Sequence, residues 1–267
     1  MDTLLAYSNS AETCLAAADL CELLAVAFEP PTPELAQGLA DGSFASDVLA
    51  CLEELSIPAD QVAEIAPALM AAEGEDAETL YATMKQEYSH LFAHPKHPQV
   101  WRYETMFKEA TGQSKEPPSL FISPTCLHVE QLMKKAGVSV GASNKQPADF
   151  VANELHFASY LFTRCALETT AGEVEKDAEA FTEGEESPKS SACTASLNAP
   201  AISDGPACAV SPQAANGLNQ TAALAVLTDF HQQHLTLWLA AFMKQVAEKT
   251  TLGVYRAVAH IGLLLVS

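Results

Sequence analysis

The sequence predicts an all-α protein built as a helical bundle of about ten helices. Three observations carry that expectation. Apolar residues recur at intervals of three and four along most of the chain, proline and glycine fall between the periodic stretches, and no run alternates apolar and polar residues between hairpin turns.

The first long helix spans Ala11 to Phe28, where Ala16, Leu20, Leu24 and Ala27 share one face and Pro30-Pro31 stops the run. Pro33 opens a short helix through Leu35 and Leu39, and Gly42 breaks it. Phe44, Val48, Cys51 and Leu55 mark a third, ending before Pro58, and Val62 to Leu69 a fourth. From Ala77 the stripe Leu80, Met84, Tyr88 and Leu91 continues until Pro95 and Pro98. Trp101 to Ala110 reads as a short helix. Ser123 as N-cap with Pro124 at the first helical position starts the next, closed by Lys134, Lys135 and Gly137. Asp149 to Leu167 comes after it, and the last helices run from about Ala222 to Glu248 and from Leu252 to Leu265.

Between residues 171 and 220 the composition changes to acidic residues and then to Ser, Ala, Pro and Gly without apolar period. Such a stretch cannot bury enough surface to offset its ordering entropy, so it reads as a disordered insertion within one domain, 1–267. The segment C-terminal to it supplies too few helices for a core of its own.

The 267 residues are 48% hydrophobic and carry a formal charge of −20. No Lys or Arg precedes Lys85, while sixteen Asp or Glu residues do. A field of that sign repels phosphate backbones and anionic headgroups and attracts cationic segments over roughly 8–10 Å at physiological salt, which argues against nucleic acid as a partner. The start Met1-Asp2-Thr3-Leu4 has no basic n-region, and the longest late apolar run, Ile261 to Val266, is far too short to span a bilayer. A cytoplasmic protein without membrane insertion is expected. Seven cysteines, none as Cys-x-x-Cys, point to small buried fillers rather than a disulfide framework.

Two clusters stand out. Tyr88-Ser-His-Leu91-Phe92-Ala-His-Pro95 runs into Trp101-Arg-Tyr103-Glu104-Thr-Met-Phe107, and Pro147-Ala-Asp149-Phe150 leads to Glu154-Leu-His-Phe157. Large apolar side chains beside isolated carboxylates suit a groove for a peptide that is partly cationic and partly apolar. The same rings, with Phe157 and Trp238, equally suit a packed core, and Asp149 sits where an N-cap is expected. An exposed carboxylate–arginine pair contributes only ~0–1 kcal/mol, so micromolar affinity, ~8 kcal/mol, must come from burying apolar surface; the acids Glu104, Asp149 and Glu154 then select arginine.

Other constellations carry less. His90, His94 and His97 are spaced as three imidazoles on one helix face, the basis of an alternative reading as a metal-dependent helical enzyme, but Pro95 interrupts them. Cys126-x-His128 and His231-x-x-His234 are weaker still, with His234 placed beside Trp238 at a packed helix face. Gly137 to Lys145 lacks the glycine spacing of a phosphate loop, and no Gly-x-Ser-x-Gly elbow occurs.

These clusters, in this order, together with Leu20 to Pro31, Ser123-Pro124 through Ala136-Gly137, and Phe230-His-Gln-Gln-His234-Leu-Thr-Leu-Trp238, resemble the TorD/DmsD family of molybdoenzyme maturation chaperones. The resemblance implies an all-α chaperone that is no enzyme and uses no cofactor. Its partners would be the twin-arginine leader and apoprotein of a molybdopterin oxidoreductase, or an unexported client of the nitrate-reductase type, bound by a monomer or a homodimer. It also implies groove or hinge roles for Tyr88, Leu91, Phe92, Tyr103, Glu104, Pro147, Asp149 and Glu154. One departure matters: the family's Asp-His pair is Asp149-Phe150 here, so any role of that imidazole is absent or relocated.

Overall fold

A computed structural model describes residues 3–94, 97–113, 123–142, 144–180, 210–212 and 220–266. The chain is all-α. Its helices are α1 (Thr3–Ala6), α2 (Ala11–Phe28), α3 (Pro33–Ala40), α4 (Ser43–Glu54), α5 (Ala59–Leu69), α6 (Ala77–Phe92), α7 (Glu104–Ala110), α8 (Pro124–Lys135), α9 (Val151–Ala180), α10 (Gln220–Phe230), α11 (Thr236–Lys249) and α12 (Gly253–Val266). None of the described helices is long and apolar enough to cross a membrane.

Local chemistry sets most boundaries. Ser10, Thr32, Asp76 and Ser123 each accept a backbone N–H two or three residues into the helix they precede, and Pro33 and Pro124 hold first-turn positions where a missing N–H costs nothing. Gly42, with φ 81°, turns the chain between α3 and α4, and Gly137, with φ 78°, ends α8 as its Lys-Lys-Ala-Gly sequence requires.

Helices α2 and α9 form the most extensive contact of the bundle. Small residues make this possible: Ala17, Cys21, Ala25, Ala152 and Ala158 are all completely buried, so the two backbones approach closely while Leu20, Leu24, Phe28 and Phe162 fill the flanks. Helices α11 and α12 pack as a hairpin, and Gly262 lies so near Met243 that a Cβ there would stand 2.6 Å from its Cε. Glu87 of α6 pins the turn between them, accepting from the Thr250 hydroxyl at 2.7 Å and the Thr251 hydroxyl at 2.9 Å. Five cysteines, Cys14, Cys21, Cys51, Cys126 and Cys165, are free and buried, as expected of fillers.

Four differences from the sequence reading have physical causes. Residues 101–103 are extended rather than helical, because Tyr103 pairs with Phe150 in an antiparallel bridge. Helix α9 starts at Val151 and runs through 171–180 instead of ending at Leu167, while most of the expected insertion, 181–209 and 213–219, lies outside the described residues. The Ala222–Glu248 helix is interrupted by a π-helical turn, His231–Leu235. Finally, a two-stranded ribbon pairs β1 (Val138–Val140) with β2 (Val210–Pro212), three residues each and too short to show as alternation.

The α2–α9 interface holds one polar clamp. His156, 5% exposed, faces Glu22 at 2.8 Å through Nδ1 and Glu29 at 3.4 Å through Nε2. Burial alone would lower its pKa, but the hydrogen bonds and charges of the two glutamates outweigh that and raise it to about 9. A histidine whose folded pKa is raised stabilises fully below its unfolded pKa and loses the contribution as pH rises through the folded one. Wild-type protein is therefore expected to lose about 2 kcal/mol more stability than His156→Gln between about pH 6 and about pH 10 in urea titrations.

Candidate functional site

Segments remote in sequence meet at one junction. The Trp101–Glu104 strand lies antiparallel to Pro147–Val151: the Glu104 N–H donates to the Asp149 carbonyl at 2.9 Å and the Val151 N–H to the Arg102 carbonyl at 2.9 Å. This clamp carries α7 on one side and launches α9 on the other. Asn153 braces it from α9, donating to the Pro147 carbonyl at 2.7 Å, and the Tyr103 hydroxyl donates to Gln146 at 2.9 Å.

Asp149 caps a helix, but not its own. The α9 N-terminus begins at Val151, whereas the Asp149 Oδ2 accepts the Thr105 N–H at 3.2 Å and the Thr105 hydroxyl, in the first turn of α7. That helix has no side-chain cap from its own N-cap residue, Tyr103, so the carboxylate arriving from the other strand supplies it. The Thr105 hydroxyl also lies 2.6 Å from that of Ser123, the cap of α8. One carboxylate thereby couples three helix starts.

Beneath the clamp, Glu104 and Glu154 are both wholly buried. Glu104 is bracketed by cations and donors: Lys108, one turn along α7, bonds its Oε1, and His234 Nδ1 donates to its Oε2 at 2.7 Å. Burial raises the Glu104 pKa, yet the bond and charge of His234 and the ammonium of Lys108 outweigh it and hold the carboxyl below its usual range. Glu154 goes the other way. Burial, the Glu104 charge and the Asp149 charge push it far up, so it keeps its proton beside an ionised Glu104, while its Oε2 accepts the Trp238 indole N–H at 2.9 Å.

The π turn makes this contact possible. An extra residue in the turn rotates His231 and His234 inward, both buried, and His234 then reaches Glu104 with one nitrogen and His128 of α8 with the other, Nε2 to Nδ1 at 2.8 Å. His128 is half-buried, and burial together with His234 lowers its pKa. A chain of hydrogen bonds therefore runs from the edge of the fold to Glu104.

The groove expected from the sequence is not open in this structure. Leu91, Phe107, Phe150, Phe157 and Trp238 are at most 1% exposed, and Tyr88, Phe92 and His234 are also buried. Phe92 packs on Phe28, Tyr88, Phe242 and Tyr255, Phe107 on Trp238 and Phe242, and Phe157 on Phe230 at 4.9 Å between ring centroids. Trp101, Tyr103 and Pro147 are half-buried at the edge, and Pro95 lies outside the described residues. The physical reason is aromatic area: these rings bury more apolar surface against one another than a solvated groove would leave them. Glu104, Asp149, Glu154, His234 and Trp238 nevertheless converge at this junction. Lys108, Thr105, Ser123 and His128 join them only in the structure, although Lys108 sits at the i+4 position from Glu104, a spacing that signals an ion pair.

The histidine alternative loses its geometry. Helix α6 ends at Phe92, so exposed His94 and His97 leave the face of His90; the His97 N–H instead donates to His94 Nδ1 at 2.9 Å. Among the described residues the group with ligand atoms close enough for a metal, all within 4.8 Å, is Glu104, Glu154 and His234, and there Lys108 already supplies the positive charge.

The sequence model of one family, described as nitrate reductase delta subunit, matches residues 54–188, half of the chain, and includes both clusters. No curated protein and no solved structure matches.

The two buried acids should respond oppositely to amide substitution and truncation. Glu154→Gln keeps an acceptor for Trp238 and a donor toward Glu104, so it is expected to cost under about 1 kcal/mol. Glu104→Ala strands Lys108 and His234 and should cost about 3–5 kcal/mol. Guanidinium chloride unfolding followed by circular dichroism measures both.

Proposed function

The chain belongs to the nitrate reductase delta subunit family, which makes it a molybdoenzyme assembly chaperone, and on that premise we propose that it binds the twin-arginine leader and apo form of a molybdopterin oxidoreductase catalytic subunit in the cytoplasm. Holding that leader would delay export while the apoenzyme is kept open for cofactor insertion.

The observation that supports this reading is the junction beneath the clamp. Three carboxyl groups and several aromatic rings are gathered where the 101–104 and 147–151 strands meet, which is the combination that an arginine pair followed by an apolar stretch requires. Enclosure of the rings means that binding demands opening. The junction is suited to that because it is held by a short bridge and polar contacts. Parting α7 from α9 would offer the Asp149 and Glu154 carboxyl groups to a cation and present the rings to the apolar stretch.

Such binding has a proton signature. A guanidinium arriving beside Glu154 removes the reason for its protonation, so the acid ionises on binding. A second reading, favoured by the family description itself, has an unexported client of the nitrate-reductase type recognised by the same surfaces.

Calorimetry separates these readings. A peptide with both arginines and its apolar stretch is expected to bind with about micromolar Kd and to release about one proton near neutral pH, read from the dependence of enthalpy on buffer ionisation. A scrambled peptide that binds equally well refutes leader recognition. Clients co-purified from cells then decide between an exported and an unexported subunit.

A further inference from the structure

Arg102 stands between the two tyrosines of the first cluster, and its guanidinium lies over three aromatic rings at once. Its carbon is 5.5 Å from the ring centroid of Tyr88, 5.5 Å from that of Tyr103 and 5.4 Å from that of Phe150. Those rings come from α6, from the strand before α7 and from the strand before α9, so the cage is assembled by the Tyr103–Phe150 bridge. At such distances the ring quadrupoles attract a planar cation, and they do not distinguish which chain it belongs to.

The resident cation is poorly provided for otherwise. One of its terminal nitrogens donates to the Tyr88 hydroxyl, its Nε is buried with no hydrogen-bond partner, and it has no carboxylate ion pair among the described residues. Burial pushes the Tyr88 hydroxyl up to about 12 against the opposing charge and hydrogen bond of Arg102, so the cation's polar partner is a neutral hydroxyl. Arg102 itself is half-buried, which leaves its side chain a way out to solvent.

We propose that the cage of Tyr88, Tyr103 and Phe150 is a guanidinium subsite which Arg102 fills as a stand-in, and that an arginine of the client's leader displaces it. This deepens and rests on the leader-binding reading above. The incoming guanidinium gains the three ring faces, while Arg102 swings into water. Because Phe150 supplies the ring that closes the cage, the phenylalanine after Asp149 acquires a role as a wall of a cation site. Selectivity for arginine over lysine is the consequence, since a flat, weakly hydrated guanidinium stacks on rings where a strongly hydrated ammonium does not.

Two measurements test this. In the wild-type chain, which has only three arginines, Arg102, Arg164 and Arg256, the Arg102 Nε–Hε signal is observed by nitrogen-15 NMR during titration with a twin-arginine leader peptide. It is expected to start shielded by the ring currents and to move to the position of a solvated arginine at saturation, whereas a citrulline-substituted peptide leaves it in place. A signal that stays shielded with the leader bound overturns the displacement. Independently of any leader, the acetyl-Arg-Arg-amide dipeptide is expected to bind Arg102→Ala about three- to tenfold tighter than wild type, a gain lost again in Arg102→Ala/Tyr103→Leu. Equal or weaker dipeptide binding to Arg102→Ala overturns the subsite. A leader that binds neither protein refutes the leader reading alone, and the dipeptide comparison still judges the cage.

Discussion

An ionised carboxylate with no exposure to water organises this part of the protein. Isolated, the Glu104 charge would cost several kcal/mol to bury, so everything around it must supply compensation. Lys108 comes from its own helix, His234 from across the bundle, and the proton that Glu154 retains removes the repulsion that a second negative charge would bring. The demand for compensation fixes the rotation of α7 against α11 and explains why a π turn, costly in hydrogen-bond geometry, is kept at His231–Leu235. Trp238 is positioned by the same logic, its indole N–H aimed at the neutral acid.

Around that centre the polar contacts form a latch rather than a core. Apart from the His156 clamp, the α2–α9 pair is apolar, small-residue packed and suited to permanence. The clamp between residues 101–104 and 147–151 depends on a single bridge, one borrowed helix cap and a cation resting on rings. Interfaces of the first kind part only on global unfolding, while those of the second kind part locally at lower cost. Under the proposed leader binding, the rings would be stored beneath the weaker kind and reached when it parts. The excess of acid before Lys85 makes a field that attracts cationic segments over several ångströms.

How much of this is legible in the sequence differs by element. The boundaries of α2, α3, α6 and α8 come from Pro30-Pro31, Pro33, Pro95 and the Ser123-Pro124 pair, because caps and prolines act on the nearest few residues. The start of α7 is not legible, since nothing within 101–103 forbids helix; a partner strand about fifty residues away holds it extended. Asp149 is recognisable as lying near a helix start, but which helix it serves depends on where that strand docks. The aromatic residues are recognisable as a group, yet periodicity describes only which face they occupy, and a face can be turned to the core or to a groove.

The sequence by itself determined the all-α class, the order of the helices, the regional negative charge and the presence of two clusters that combine aromatic rings with carboxylates. These are consequences of local backbone preference and of composition, which need no third dimension. Only the tertiary structure decided that the rings are enclosed, that Glu154 is the acid which keeps its proton, that Lys108 and His128 belong with Glu104, and that Arg102 lies in a cage of three rings. Each of those depends on distances between groups far apart along the chain, and the strength of burial, of Coulomb interaction and of ring–cation attraction is set by distance in space.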